Sequence, residues 1–337
     1  MLGDVTLHDV ARAAGVSIGT ASRALTGRGR VAAATVENVR EVAKSLGYKP
    51  NLIGQALRRG RANVVGMLVP HLENPFFAGI IHEIEEQLFS RGAQLLVADS
   101  RWDPAREEER FRIFRSTQVD GVIVVPAWLD RSAELIRSVR KIMPLVQLDR
   151  YAGPGVAEFV GVDNGDGMKQ VVEYLHGRGA RSMYFIGGDR ATSTGVERHE
   201  AFMAISKRLG IRVTGEYRYQ FNFETGISGV EKMGEVPDAV VCADDLIALG
   251  ALGALNRRGL RVPEDVMVTG FDGLPLTRVV EPQITTVCQP TQELARSAVN
   301  VLYGIIEGEG SPGDESGNAD ETAVRLVPRL RAAGSTR

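Results

Sequence analysis

Hydrophobic positions along the chain change their period near residue 62. Before it, apolar residues recur every three or four positions: Val10, Ala11 and Ala14, then Ala21, Ala24 and Leu25, then Val36, Val39, Val42, Ala43 and Leu46. Each set lines one face of a short helix. Thr6 with Asp9 makes a capping-box-like start for the first helix, Gly15 supplies the left-handed residue that ends it, and Ser17 can cap the second. Gly47 stops the third. Two short helices across a tight glycine turn, braced by a third, predict an all-α helix-turn-helix domain over residues 1–50. Asn51 then caps a short amphipathic stretch, 51–61, carrying Ile53 and Leu57. As a helix it is too brief to be stable alone and would order only against a partner helix or DNA.

Beyond residue 62 strand-like and helix-like runs alternate. NVVGMLVP, AQLLVAD, GVIVVP and PLVQLD read as buried strands, with helices opening near Phe76, Pro104 and Arg131. EFVGVD, RSMYFIGG, EYRYQF, DAVVCAD and DVMVTGFD repeat the rhythm. That is enough for an α/β core, 62–330, of two doubly wound parallel sheets. The expected division is an N-subdomain of about 62–160 plus 290–322 and a C-subdomain of about 161–289 plus 323–330. EGEGSPGDESGNADE, 307–321, reads as a mobile surface loop, and 331–337 as a short tail.

Charge sharpens this division. The chain of 337 residues has a net charge of −2, but residues 1–62 hold ten Lys/Arg against four acids, +6, which leaves −8 on the rest. A basic module on an acidic body points to a polyanionic partner for the module, the competing reading being a merely solvated basic surface. Cys242 and Cys288 are the only cysteines, too few for a disulfide framework, and the five histidines show no metal-ligand spacing, so neither metal nor cofactor is expected. No apolar run is long enough to span a bilayer, and MLGDVTLHDVA lacks the apolar region of a signal peptide, which favours the cytoplasm.

An enzyme finds little support. FIGGDRATSTG lacks the spacing of a dinucleotide-binding loop, GISGV lacks the last glycine of a nucleophile elbow, and no P-loop is present. A small-molecule-binding protein or enzyme of the same α/β class, without a regulatory DNA role, remains the alternative.

The candidate chemistry falls in two places. On the second helix Thr20, Ser22 and Arg23 face outward with Ile18 and Gly19. A helix fits the DNA major groove with its N-terminal residues at base edges, and small, hydroxyl or guanidinium side chains there permit close approach and bonds to phosphates or bases. Ile18 can meet a thymine methyl, whereas Gly19 only allows approach. In the core, Asn74, Phe76, Phe77, Asp149, Arg150, Arg198, Phe221, Asp244, Asp245 and Asp272 all fall near or just after the carboxyl ends of strands, where ligands of such folds bind. Carboxylates and an arginine bond to hydroxyls while a phenyl ring stacks on an apolar sugar face. Against this, Asp245 and Asn164 read equally well as helix caps, and one of Phe76 and Phe77 as core.

TLHDVARAAGVSIGTASRAL, GYKPN with a leucine downstream, ENPFFAGIIHEIEE, VDGVIVVP, VPEDVMVTGFDGLPL and ITTVCQP together resemble the lactose-repressor/galactose-repressor family of bacterial transcription regulators. The resemblance implies a homodimer that binds double-stranded operator DNA. Thr6, Ser17, Ile18, Gly19, Thr20, Ser22, Arg23, Thr26 and Thr35 would serve the helix-turn-helix contacts. Asn51, Gln55 and Leu57 would serve a hinge helix in the minor groove, with Leu57 as the wedge. It also implies a core like periplasmic sugar-binding proteins, in which Phe76, Phe77, Asp149, Arg198, Phe221, Asp244 and Asp272 hold a small effector, most simply a sugar or polyol. Departures from the family pattern are Ala32 for Ser, Gly54 for Ala, Ala180 for His, Ala201 for Gly and Asp244 for Asn. The additional acid at 244 suggests a neutral polyol or an amine-bearing ligand rather than an anion.

Overall fold

The computed structural model describes residues 5–26, 30–48, 62–308 and 323–337. The chain divides after Ala62 into two compact units. In the first, helices α1 (Leu7–Ala13), α2 (Ile18–Thr26) and α3 (Ala33–Ser45) pack around Val10, Ala11, Ala21, Ala24, Val39 and Ala43. The apolar stripes read from the sequence supply this core. Gly15, at φ +66°, makes the turn between α1 and α2, and the Val16 amide returns to the Ala11 carbonyl at 3.0 Å. The Asn38 amide donates to the Ala14 carbonyl at 3.2 Å and ties α3 to that turn. Ala32 stands at the N-cap of α3 and gives no side-chain cap.

Among its described residues the second unit holds two six-stranded sheets. Its strands are β1 (Val64–Val69), β2 (Gln94–Asp99), β3 (Gly121–Val124), β4 (Leu145–Leu148), β5 (Phe159–Val162), β6 (Ser182–Gly187), β7 (Arg212–Arg218), β8 (Ala239–Cys242), β9 (Met267–Asp272), β10 (Thr285–Cys288), β11 (Ala323–Leu326) and β12 (Arg329–Arg331). Its helices are α4 (Pro75–Phe89), α5 (Pro104–Ser116), α6 (Ala133–Arg140), α7 (Asn164–Gly177), α8 (Ser193–Arg208), α9 (Phe223–Glu231), α10 (Asp245–Arg257) and α11 (Thr291–Glu307). Strand order is β11-β5-β4-β3-β1-β2 in one sheet and β12-β10-β9-β8-β6-β7 in the other. All pairings are parallel except β10 with β12. β3, β4, β5, β8 and β9 are buried along their whole length, as strands covered on both faces must be, and this is why they read as continuous apolar runs.

Among the described residues the chain passes between the two halves three times: from β5 to α7, from β10 to α11, and from β11 to β12. Two boundaries drawn from the sequence need correction here. Residues 323–330 do not belong wholly to the second half, because β11 pairs with β5 in the first sheet and only β12 joins the second. Nor is 331–337 a loose tail. Ser335 and Thr336 are buried, the Ser335 hydroxyl donates to the Val268 carbonyl at 2.6 Å, and the Thr285 amide donates back to it at 2.8 Å. Small polar residues look like a tail in sequence, yet their hydroxyls satisfy backbone groups that would otherwise be buried unpaired. Residues 309–321 of the expected loop lie outside the described residues, and Gly308 at φ +77° ends α11.

Candidate functional site

The outward face of the first unit is partly committed to its own capping. The Thr6 hydroxyl and amide both donate to Asp9, at 2.6 and 3.0 Å, and these bonds hold the Asp9 carboxyl below its usual range. Ser17 Oγ accepts the Thr20 amide at 3.1 Å and lies 2.9 Å from the Thr20 hydroxyl. Ile18, Gly19 and Arg23 are exposed, while Thr20, Ser22 and Thr35 are half-buried. A Cβ on Gly19 would meet nothing nearer than Ser17 Oγ at 3.8 Å, so packing does not demand glycine there. Asn51, Gln55, Leu57 and the Thr26 side chain lie outside the described residues.

In the second unit the seven core residues singled out from the sequence converge. Phe76, Phe77, Asp149, Arg198, Phe221, Asp244 and Asp272 line one cavity between the halves, together with Asn74, Arg150 and Thr194. The fold brings them there by strand ends and helix starts. Asn74 caps α4, accepting the Phe76 amide at 3.0 Å, and so sets both phenyl rings; both rings are buried. Asp149 follows β4 and Asp272 ends β9, at φ +62° and +119°. Two carboxylates held in backbone conformations that L residues seldom adopt mark a strained site. Phe221 leans on Gly188, where any Cβ would come within 2.0 Å of the ring.

Arg198 is the most tightly held group. Its Nε donates to Asn164 Oδ1 at 2.8 Å, and Nη1 donates to the Ala243 carbonyl at 2.7 Å. Nη1 also stands 3.6 Å from Asp272 Oδ1, and the guanidinium lies 3.7 Å from the centre of the Phe271 ring. Gln289 Nε2 donates to Asp272 Oδ1 at 2.7 Å. The cap assignments from sequence shift by one residue. Asp244 caps α10 through the Ile247 amide at 2.7 Å, and Asp163 caps α7. Asp245 instead accepts the Thr286 hydroxyl and the Leu274 amide, at 2.5 and 2.6 Å. Asn164 bonds to Arg198 and Glu197.

The residue that sequence reasoning undervalued is Arg150. It is buried, with its guanidinium 4.7 Å from the Trp102 ring centre, 4.9 Å from Phe221 and 5.9 Å from Phe77. Its Nε is 3.6 Å from Asp149 Oδ2. It fills the cleft so far that about 10 Å³ remains, room for one water. Burial pulls its ionisation down to about 10 against the attraction of Asp149. Burial also pushes Asp244 and Asp245 up to about 7 and raises Asp149 and Asp272. Arg150 Nε and Nη1, Thr194 Oγ1 and Asp244 Oδ2 are buried with no hydrogen-bond partner among the described residues. Donor and acceptor atoms therefore wait on one small space. The sequence signal for Arg150 is its place just after β4, beside Asp149.

No helix among the described residues is long and apolar enough to cross a membrane. Residues 6–51 match the family described as bacterial regulatory proteins, lacI family, and residues 172–336 match a periplasmic binding protein-like domain. The HTH-type transcriptional repressor CytR of Escherichia coli (strain K12) is 31% identical over 309 residues, 90% of each chain. The HTH-type transcriptional repressor PurR of Histophilus somni (strain 129Pt) is 28% identical over 311 residues, 90% of this chain and 93% of that one. Among solved structures, the lac repressor dimer bound to operator and the anti-inducer ONPF superposes with a TM-score of 0.89 at 25% identity, covering 99% of both chains. A complex of the transcriptional regulator CelR with cellobiose gives 0.72 at 30% identity, covering 98% of this chain and 99% of that one. These relatives are regulators, not enzymes.

Proposed function

Because the chain belongs to the lacI family of bacterial regulatory proteins, we propose that its first unit reads an operator and that its cleft takes a sugar or polyol that sets operator affinity. The chain is a DNA-binding transcriptional regulator, and repression is the activity that its relatives' names support. The reading places it in the cytoplasm as a homodimer, with Asn51, Gln55 and Leu57 at the hinge.

One observation carries the ligand class. Arg150 and Asp244 leave a buried donor and a buried acceptor facing the same space, beside Thr194, Phe77 and Phe221. A hydroxyl both accepts and donates, so a polyhydroxylated ring satisfies both at once and lays its apolar face on the phenyl rings. The cellobiose of the CelR complex supports the same class. For the ligand to enter, Arg150 must move, and the halves must separate far enough to admit it. The effector then controls DNA affinity only through its different affinity for the two arrangements. On the first unit Ile18 and Arg23 offer a methyl-contacting group and a base- or phosphate-bonding group, and the net +6 of residues 1–62 supplies phosphate attraction.

The experiment is a thermal-shift screen of the purified chain against sugars, polyols, nucleosides and amino acids, followed by operator selection from random DNA with and without each hit. A sugar or polyol that raises the melting temperature and changes retention on the selected DNA is the expected result. A hit confined to another class would replace the ligand assignment, and failure to select any DNA sequence would remove the operator reading.

A further inference from the structure

Glu197, one residue before Arg198 on α8, is not part of the cavity wall, yet its carboxylate accepts three side-chain hydrogen bonds. Its Oε1 accepts the Tyr151 hydroxyl at 3.0 Å and Arg325 Nη2 at 2.9 Å. Its Oε2 accepts Asn164 Nδ2 at 2.7 Å, and the other end of that same amide, Oδ1, receives Arg198 Nε. The origins of the donors matter. Tyr151 stands in the loop after β4, and Arg325 lies on β11; both belong to the first half of the core. Glu197, Asn164 and Arg198 belong to α7 and α8, which pack with the second half.

We infer that Glu197 is the tie that holds the two halves in this closed arrangement, and that Asn164 links the tie to Arg198. One carboxylate grips two elements of the opposite half, and its third bond fixes the amide that orients the cleft arginine. A ligand that draws on Arg198 therefore acts on the same network that sets the separation of the halves. Two rings of the first half flank Arg325 and steady it against Glu197. Its guanidinium lies 5.3 Å from the Phe159 ring centre and 5.7 Å from that of Tyr151. A charged acceptor with two donors across a partly solvent-shielded gap is the strong kind of hydrogen bond. The regulatory meaning rests on the reading of Arg198 as an effector contact. The closure itself does not.

Two backbone amides report closure directly. The Leu129 amide, in the first half, donates to the Ala191 carbonyl at 2.7 Å, and the Tyr151 amide donates to Ser193 Oγ at 3.1 Å; Ala191 and Ser193 are in the second half. Hydrogen–deuterium exchange on the full chain, without effector or DNA, therefore tests the tie apart from the ligand assignment. Glu197→Gln and Arg325→Leu should each speed exchange at Leu129 and Tyr151 by about tenfold or more, while the amides of β3 and β8 keep their protection. The double variant should be no faster than the faster single one. Unchanged exchange at both reporters in both variants would overturn the inference. So would an equal rise throughout β3 and β8, which would make Glu197 a general stabiliser of the fold. A screen hit whose binding survives in Glu197→Gln would leave the ligand assignment standing whichever way the exchange result falls.

Discussion

Replacing Arg198 with methionine keeps an unbranched, flexible stem and removes the guanidinium with its charge and donors. The bonds to Asn164 Oδ1 and the Ala243 carbonyl, at 2.8 and 2.7 Å, have a charged donor, and each contributes roughly 1.5–3 kcal/mol. The guanidinium over Phe271 adds about 1–2 kcal/mol at a buried site. Opposing these gains is the cost of burying a charge, relieved in the variant, and Asp272 loses the neighbour that favours its ionised form. Breaking one side of a buried charged network costs about 3–5 kcal/mol on balance, because the partners stay behind unpaired. For a unit of this size that is a fall of roughly 6–20 °C in melting temperature. The assay is differential scanning fluorimetry of the chain and of Arg198→Met, each with and without any sugar or polyol found by screening. A ligand present at about a hundred times its Kd stabilises the parent by about 2.7 kcal/mol, and the variant should show none of that shift. Arg198→Lys should fall between, since an ammonium on that stem replaces at most one of the two bonds. Melting of Arg198→Met within about 2 °C of the parent would refute the energetic argument, and a preserved ligand shift would remove Arg198 from the effector contacts.

The buried acids predict a pH dependence. Asp244 and Asp245, which ordinarily ionise at 3.8, do so at about 7 in the folded chain, chiefly through burial. Between these values the folded chain holds protons that the unfolded chain has released, so stability falls as pH rises from about 4 to 7 and levels off above; urea unfolding at about pH 4.5, 6 and 7.5 should show this, with a shallower slope for Asp244→Asn. Ala32→Ser should give α3 the side-chain cap it lacks and stabilise the first unit by about 1 kcal/mol, measured by thermal unfolding of the full chain followed through α-helical circular dichroism. Gly188→Ala would place a methyl 2.0 Å from the Phe221 ring, so the ring must leave its place. A loss of about 1–3 kcal/mol in stability is expected, with no thermal shift from any ligand that stacks on Phe221.

Much of this architecture is written in periodicity. The 3.6-residue stripes of the first unit and the apolar runs of β3, β4, β8 and β9 are long enough, or pure enough, to be read without a structure. The cleft was legible because the doubly wound fold gathers whatever follows its strands, and Asp149, Asp244 and Asp272 follow or end theirs. What stayed hidden depends on single-residue register or on distant contacts. In the pairs Asp163–Asn164 and Asp244–Asp245, either residue suits a cap, and only the helix start decides which one turns toward Arg198 or Thr286. β11 and β12 are four and three residues long, too short to carry a pattern that would assign each to its sheet. Nothing local to Arg150 announces that Trp102 and Phe221, far away in sequence, will close around it.

The placement of β11 and β12 has a consequence for how the core is made. Each is an edge strand of a different sheet, and both come from one stretch of nine residues near the far end of the chain described, 323–331. During synthesis, then, neither half can finish its sheet until that stretch has left the ribosome, although every other strand of both sheets precedes it in the chain. The two halves must wait for the same late segment and are completed almost together. A nascent chain stalled or cut short of Ala323 would leave β5, still paired with β4, and β10, still paired with β9, each as a bare sheet edge, in both halves at once.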